Sequence, residues 1–329
     1  MQFVKGAWRI LVGIKDGLAL LLLLLFFGFL YALLSSGPNP GAVRDGALLL
    51  EIDGVISEQP AAVDPLKILL SQEVPTHEYR QRDIIRALDL AVSDNRVKAV
   101  VLDLSRFMGG GQTSLAAIGE RLDAVKKAGK PVYAFATAYG DHGYQLAAHA
   151  SEIWVDPLGG VLPTGPGGSR LYYKGLLDQL GVKAHIYRVG TYKSAVEPYM
   201  RSDMSPEAKE ATKAVYDELW GQWRADVAKA RPGAKLDALL SDPASATDAA
   251  KGDMAQLALA NGLVDKLGGQ IAFGKYLAAK VGKDRKESIG GFAATKMDAL
   301  LAAKSPDRSG DPIGVVTIAG EIVDGEGGP

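Results

Sequence analysis

The stretch from Leu18 to Leu34, LALLLLLLFFGFLYALL, holds neither a charge nor a proline, and it sets the layout of the whole chain. A run this apolar has no place on a water-facing surface, and about 20 such residues cross the hydrocarbon of a bilayer as a helix. Ser35 and Ser36 extend it at low cost, so the span is placed at residues 18–36. Lys5, Arg9 and Lys15 precede it, which puts residues 1–17 in the cytoplasm and everything beyond the span outside. A cleaved signal peptide is the competing reading. The run is longer than a usual signal core and no small-x-small cleavage pattern follows it, so a retained anchor is preferred. Residues 37–46, GPNPGAVRDG, read as a Pro/Gly-rich linker.

Beyond the linker, short apolar runs alternate with helical patterns. Ala47–Ile56 (turning at Asp53–Gly54), Val97–Leu104, Pro131–Ala136 and Glu152–Val155 read as strands, each almost continuously apolar. Tyr79–Val92 and Thr113–Ala128 read as helices, the second capped by Thr113 and ended by Gly129. Strands apolar throughout and separated by helices predict an α/β domain with a parallel sheet covered on both faces. From Ser205 to Val281 the pattern is helical, beginning Ser-Pro-Glu. The domain is therefore set at 47–281, and the charged residues 282–311 read as mostly linker. Ile313–Glu326, IGVVTIAGEIVDGE, resembles Ala47–Glu58, ALLLEIDGVISE. Residues 312–329 accordingly read as the first strand of a truncated second copy. The alternatives are a chance likeness or a strand closing the first sheet.

Composition narrows the chemistry. A net charge of -1 gives no electrostatic reason to expect nucleic acid. With no cysteine, thiol catalysis and zinc–cysteine sites are excluded, and the four scattered histidines form no HExxH pair. No metal or cofactor is called for.

The candidate site lies in Lys183–Arg201, KAHIYRVGTYKSAVEPYMR. It reads as a strand that stops at Gly190 and delivers Lys193 to the next element, among apolar and aromatic neighbours. A lysine general base must be neutral near the working pH, which takes a fall of about three units, or about 4 kcal/mol, and burial can supply it. Val189, Tyr192, Ala195 and Val196 are the expected wall. Glu197 would oppose the shift and is expected to point away, toward Arg201 or Arg188. On the residues alone, a lysine snorkelling to water is the commoner case. Ser194 diverges from Lys193 on either a strand or a helix, so a dyad between these neighbours is not expected. Gly109–Gly111 suits an anion cradle, though a plain tight turn is commoner. Asp141 and His142 are too close in sequence for a relay, and Asp141 reads as a helix cap. Tyr216, Leu219, Trp220 and Trp223 read as a core or subunit-contact stripe, and 159–169 as a long loop able to line a groove.

The segment Tyr187–Ala211, YRVGTYKSAVEPYMRSDMSPEAKEA, resembles the active-lysine signature of the long form of signal peptide peptidase A, the protease IV type of peptidase family S49. The likeness extends through VVLDL and GGG at 100–111, GKPVYAFA at 129–136, IWVDPLGG at 153–160, LYYKGLLDQLGV at 171–182 and NGLVDKLG at 261–268. It implies a ClpP/crotonase-like βαβ superhelix with a helical C-terminal arm, as the N-terminal half of a two-domain chain behind one transmembrane helix. It further implies a homotetramer in the bacterial inner membrane, its bulk in the periplasm, that degrades hydrophobic signal peptides after their cleavage. Carried over by residue, Lys193 is the general base of a Ser–Lys pair. The nucleophilic serine would belong to the second domain, since its place in this one, within Gly140–Tyr144, is taken by Asp141. This chain alone is then expected to be inactive. The rival reading is a non-catalytic scaffold on the same fold. A crotonase acting on acyl-CoA is disfavoured, because CoA thioesters are cytoplasmic.

Overall fold

The computed structural model describes residues 2–35, 43–61, 76–286, 288–305, 310–311, 313–316 and 325. Helix α1, Gln2–Ser35, is 34 residues long, or about 51 Å at the α-helical rise. Its stretch Leu11–Ala32 is long and apolar enough to cross a membrane, and none of it is buried against the rest of the chain. The helix therefore begins well before the apolar run, because nothing in residues 2–17 breaks it.

The body starts with strand β1, Gly46–Glu51, and β2, Val55–Ser57. Next come β3 (Glu78–Arg80), α2 (Gln81–Ser93), β4 (Val97–Asp103), β5 (Gly109–Gly110) and α3 (Gln112–Lys127). Strand β6 (Val132–Ala136), α4 (Asp141–Ala148) and β7 (Glu152–Val155) complete the first half. Short helices α5, Lys174–Gln179, and α6, Glu197–Met200, precede the long α7, Pro206–Ala230. Then follow α8 (Leu236–Ser241), α9 (Pro243–Ala249), α10 (Met254–Ala260), β8 (Lys266–Leu267), α11 (Gln270–Val281), β9 (Ala294–Lys296) and α12 (Met297–Ala303).

Six strands form one parallel sheet in the order β8-β7-β6-β4-β1-β9. The α/β class and parallel sheet expected from the sequence are what the chain adopts. Side chains alternate across such a sheet, and both faces are apolar. Leu48, Leu50, Val100, Leu102, Ala134 and Ile153 point into one core with Ile84 and Leu88 of α2, Leu115 and Leu122 of α3, and Trp223 and Val227 of α7. Their neighbours Ala47, Ala99, Val101, Tyr133, Phe135 and Trp154 face the other way, against Phe273 and Leu277 of α11. There Phe135 and Phe273 stack with ring centres 5.2 Å apart. A smaller parallel sheet has the order β3-β2-β5.

Two boundaries differ from the sequence reading. Thr113 does not cap α3; Gly111 occupies that position, with no side-chain cap. Residues 282–311 are not mostly linker: β9 pairs with β1 along Ala47–Ala294 to Leu49–Lys296, and Leu300 of α12 is fully buried. Main-chain pairing at a free sheet edge needs no apolar run, so three residues of Ala-Thr-Lys give no pattern to read. Most of the expected repeat strand at 312–329 lies outside the described residues, and the described Ile313–Val316 form no strand. Leu300→Ala should remove about 2–5 kcal/mol of stability in urea unfolding. An unchanged midpoint would return α12 to the status of a linker.

Candidate active-lysine arm

Between β7 and α7 the chain leaves the sheet. A loop over residues 159–169 leads into an arm that runs to Ser205, with α5 and α6 as its only regular pieces among the described residues. The strand expected before Gly190 is absent: residues 182–189 join no β-ladder, and Tyr187 and Val189 are 94% and 85% exposed. β-favouring side chains specify a strand only where a ladder partner is within reach, and this segment has left the sheet.

Lys193 sits on a turn. Gly190 has φ +112°, a conformation that a side chain would strain, and its peptide carries the lysine stem. A Cβ built on Gly190 would lie 3.6–3.7 Å from Cγ, Cδ and Cε of Lys193, so the stem lies across bare backbone. The expected apolar wall is not assembled by the described residues. Lys193 is exposed, as are Val189, Tyr192 and Ala195, and only Val196 is half-buried. A wall needs atoms on the open side of the turn, and the described residues place none there.

Polar contacts give the arm its shape. Arg188 Nη1 donates to the Lys193 carbonyl at 2.8 Å, and Arg170 Nη2 donates to the carbonyls of Ser194 at 3.4 Å and Ala195 at 3.3 Å. The Tyr173 amide donates to the Pro198 carbonyl at 2.7 Å. Glu197 points away from Lys193 as expected. Its buried carboxylate accepts from the Ser205 amide at 3.1 Å and lies 3.9 Å from Arg188. The Ser205 hydrogen bond is the main cause holding the Glu197 carboxyl below its ordinary value; burial works against it, and Arg201 and Arg188 assist. Ser205 also caps α7, accepting from the Ala208 amide at 3.1 Å. Arg188 was legible in the sequence as a partner of Glu197. Arg170 was not, since nothing in its neighbours marks it.

The other singled-out residues serve structure. Asp141 opens α4 without capping it; Gly140 holds the cap position, with no side-chain cap bond. Its carboxylate accepts from the Thr164 amide and hydroxyl, each at 3.0 Å, and from the Gly165 amide at 3.3 Å, tying down the 159–169 loop. His142 is exposed and packs beside Gly109. Gly109–Gly110 form β5 against β2, so the glycine run is a strand leading into a helix start. Trp220 and Trp223 stack 4.6 Å apart, and Trp223 Nε1 donates to the Asp141 carbonyl at 2.9 Å, while Tyr216 and Leu219 remain exposed. The described residues hold no cluster able to bind a metal ion.

Comparison with known proteins finds relatives across this chain. The model of peptidase family S49 matches residues 124–282, a span that contains the whole arm. Protease 4 of Salmonella typhi is 36% identical over 99% of this chain and 54% of its own length. Protease 4 of Haemophilus influenzae is 35% identical with the same coverages. The chain thus spans about half the length of these curated relatives. A solved enoyl-CoA hydratase/isomerase family protein from Silicibacter pomeroyi aligns over 73% of this chain and 79% of its own, with 14% identity and a TM-score of 0.32.

Because the folded-state carboxyl of Glu197 is depressed, its contribution to stability is complete above the ordinary value near 4.5 and is lost as pH falls through the lower folded value. Melting temperatures followed downward from neutral pH should show a shallower acid decline in Glu197→Gln than in the unaltered protein. Superimposable declines would remove Glu197 from the acid response.

Proposed function

Given that the chain belongs to peptidase family S49, we propose that it is the lysine-bearing part of a membrane-anchored serine endopeptidase. The observation that carries this reading is the family match running through residues 124–282, with Lys193 and every contact of its turn inside it.

Lys193, as the free amine, takes the proton of a serine hydroxyl supplied from outside the described residues. The serine oxygen attacks the scissile carbonyl, and the ammonium then returns the proton to the leaving amine. Asp141 fills the position at which the resemblance would put a serine, and its carboxylate is committed to the 159–169 loop. Lys193 stands exposed with one open side. Docking of the serine-bearing domain against that side would strip water from the lysine, and loss of water favours the neutral amine that a general base must be. Hydrophobic peptides such as cleaved signal peptides are the proposed substrates. The setting is the outer face of a bacterial inner membrane, to which α1 holds the enzyme within reach of apolar peptides still in the bilayer. Neither a metal nor a nucleotide takes part in these steps.

The test uses the protein purified from its native membrane and a hydrophobic fluorogenic peptide. Lys193→Ala should lower turnover roughly a thousandfold or more at an unchanged melting temperature. Turnover that survives the substitution would exclude Lys193 as the base. A native mass close to 34.7 kDa together with no hydrolysis would instead favour a scaffold on the same fold.

A further inference from the structure

The arm that carries Lys193 has no ladder and only a four-residue helix near the lysine, so besides short-range main-chain bonds its conformation depends on side-chain contacts. Those contacts form one connected line. Arg188 Nη1 donates to the Lys193 carbonyl and lies 3.9 Å from the Glu197 carboxylate. Glu197, with a side chain 2% exposed, accepts from the amide of Ser205. Ser205 caps α7, and α7 is fixed to the core through Trp223 and Val227. Arg170 takes the next two carbonyls, of Ser194 and Ala195, from the far side of the arm. Three successive carbonyls starting at Lys193 are therefore held by two guanidinium groups, one of them beside a carboxylate that is bonded to the start of α7.

We propose that Arg188, braced by Glu197, and Arg170 are positioning residues that hold the Lys193 turn in register with the core. This assignment rests on the reading of Lys193 as the general base. Arginine suits the task for a geometric reason. Its guanidinium is always charged and holds its donors in a fixed plane, so Nη1 can donate to a carbonyl with a carboxylate beside it, whereas an ammonium is a single rotatable point. A displacement of about 1 Å in a catalytic group can cost on the order of a hundredfold in rate. Releasing the carbonyl of Lys193 from Arg188 frees the turn whose bare glycine supports the lysine stem. On this assignment both arginines act on main-chain carbonyls and not on substrate, so the loss is expected in kcat with KM in place.

The experiment measures kcat and KM for the protein from its native membrane, with melting temperatures alongside. Arg188→Ala should lower kcat by about ten- to a hundredfold at constant KM. Arg188→Lys should recover part of that loss, and Arg170→Ala should fall between the two. Wild-type kcat in Arg188→Ala, with Lys193→Ala inactive, would overturn the positioning role while leaving the lysine's role intact. Activity in Lys193→Ala would instead overturn the base assignment on which the proposal rests. Where Arg188→Ala fails to give a cooperative melt, Arg188→Lys decides. A several-fold lower kcat at unchanged KM and melting temperature supports the fork, and a wild-type kcat rejects it.

Discussion

Main-chain pairing along β1 is the constraint from which the rest of the body follows. This strand hydrogen-bonds to β4 on one side and β9 on the other, so the first and nearly the last described elements of the body meet in one ladder. With β1 parallel to both neighbours, as is every pair in the sheet, each connection must cross over a face, and each face must then be apolar. The alternation of Leu48 and Leu50 with Ala47 along one strand satisfies both faces at once. The deeper core receives the larger share of helices, and the shallower face is closed by the aromatic packing of Phe135, Trp154 and Phe273.

The arm is built on the opposite principle. The sheet ties its strands through ladders, whereas the segment from Arg170 to Ser205 has none and is shaped by short-range main-chain bonds together with arginine donors on carbonyls. Such ties are directional and individually modest, so they define a shape without adding much stability. That division suits a chemical group which must be placed accurately and still be reachable from outside. The arm also exposes apolar residues, among them Leu176, Val182 and Tyr187.

Much of the fold was legible in the sequence because parallel strands buried on both faces leave unbroken apolar runs, as at Val97–Leu104. Two kinds of element were not. β9 uses three residues whose contribution is main-chain pairing, and a propensity argument has nothing to weigh there. Residues 182–189 show the reverse failure: their side chains favour a strand, but no ladder partner stands beside them. At the candidate site, the glycine before the lysine and the aversion of Glu197 from it followed from local chemistry. The open side of Lys193 did not, since exposure depends on what the remainder of the chain fails to cover. Arg170 was equally illegible, because it meets its carbonyls from more than twenty residues away.

The two edges of the large sheet have a bearing on colloidal behaviour. β8 is two residues long and β9 three, and each contains a lysine, Lys266 and Lys296, engaged with Glu152 and Glu51 respectively. Short strands with fixed charges are poor templates for a foreign strand. Among the described residues the large sheet thus offers a neighbouring copy no long, flat row of open amides and carbonyls, and edge-to-edge aggregation is discouraged at both its ends.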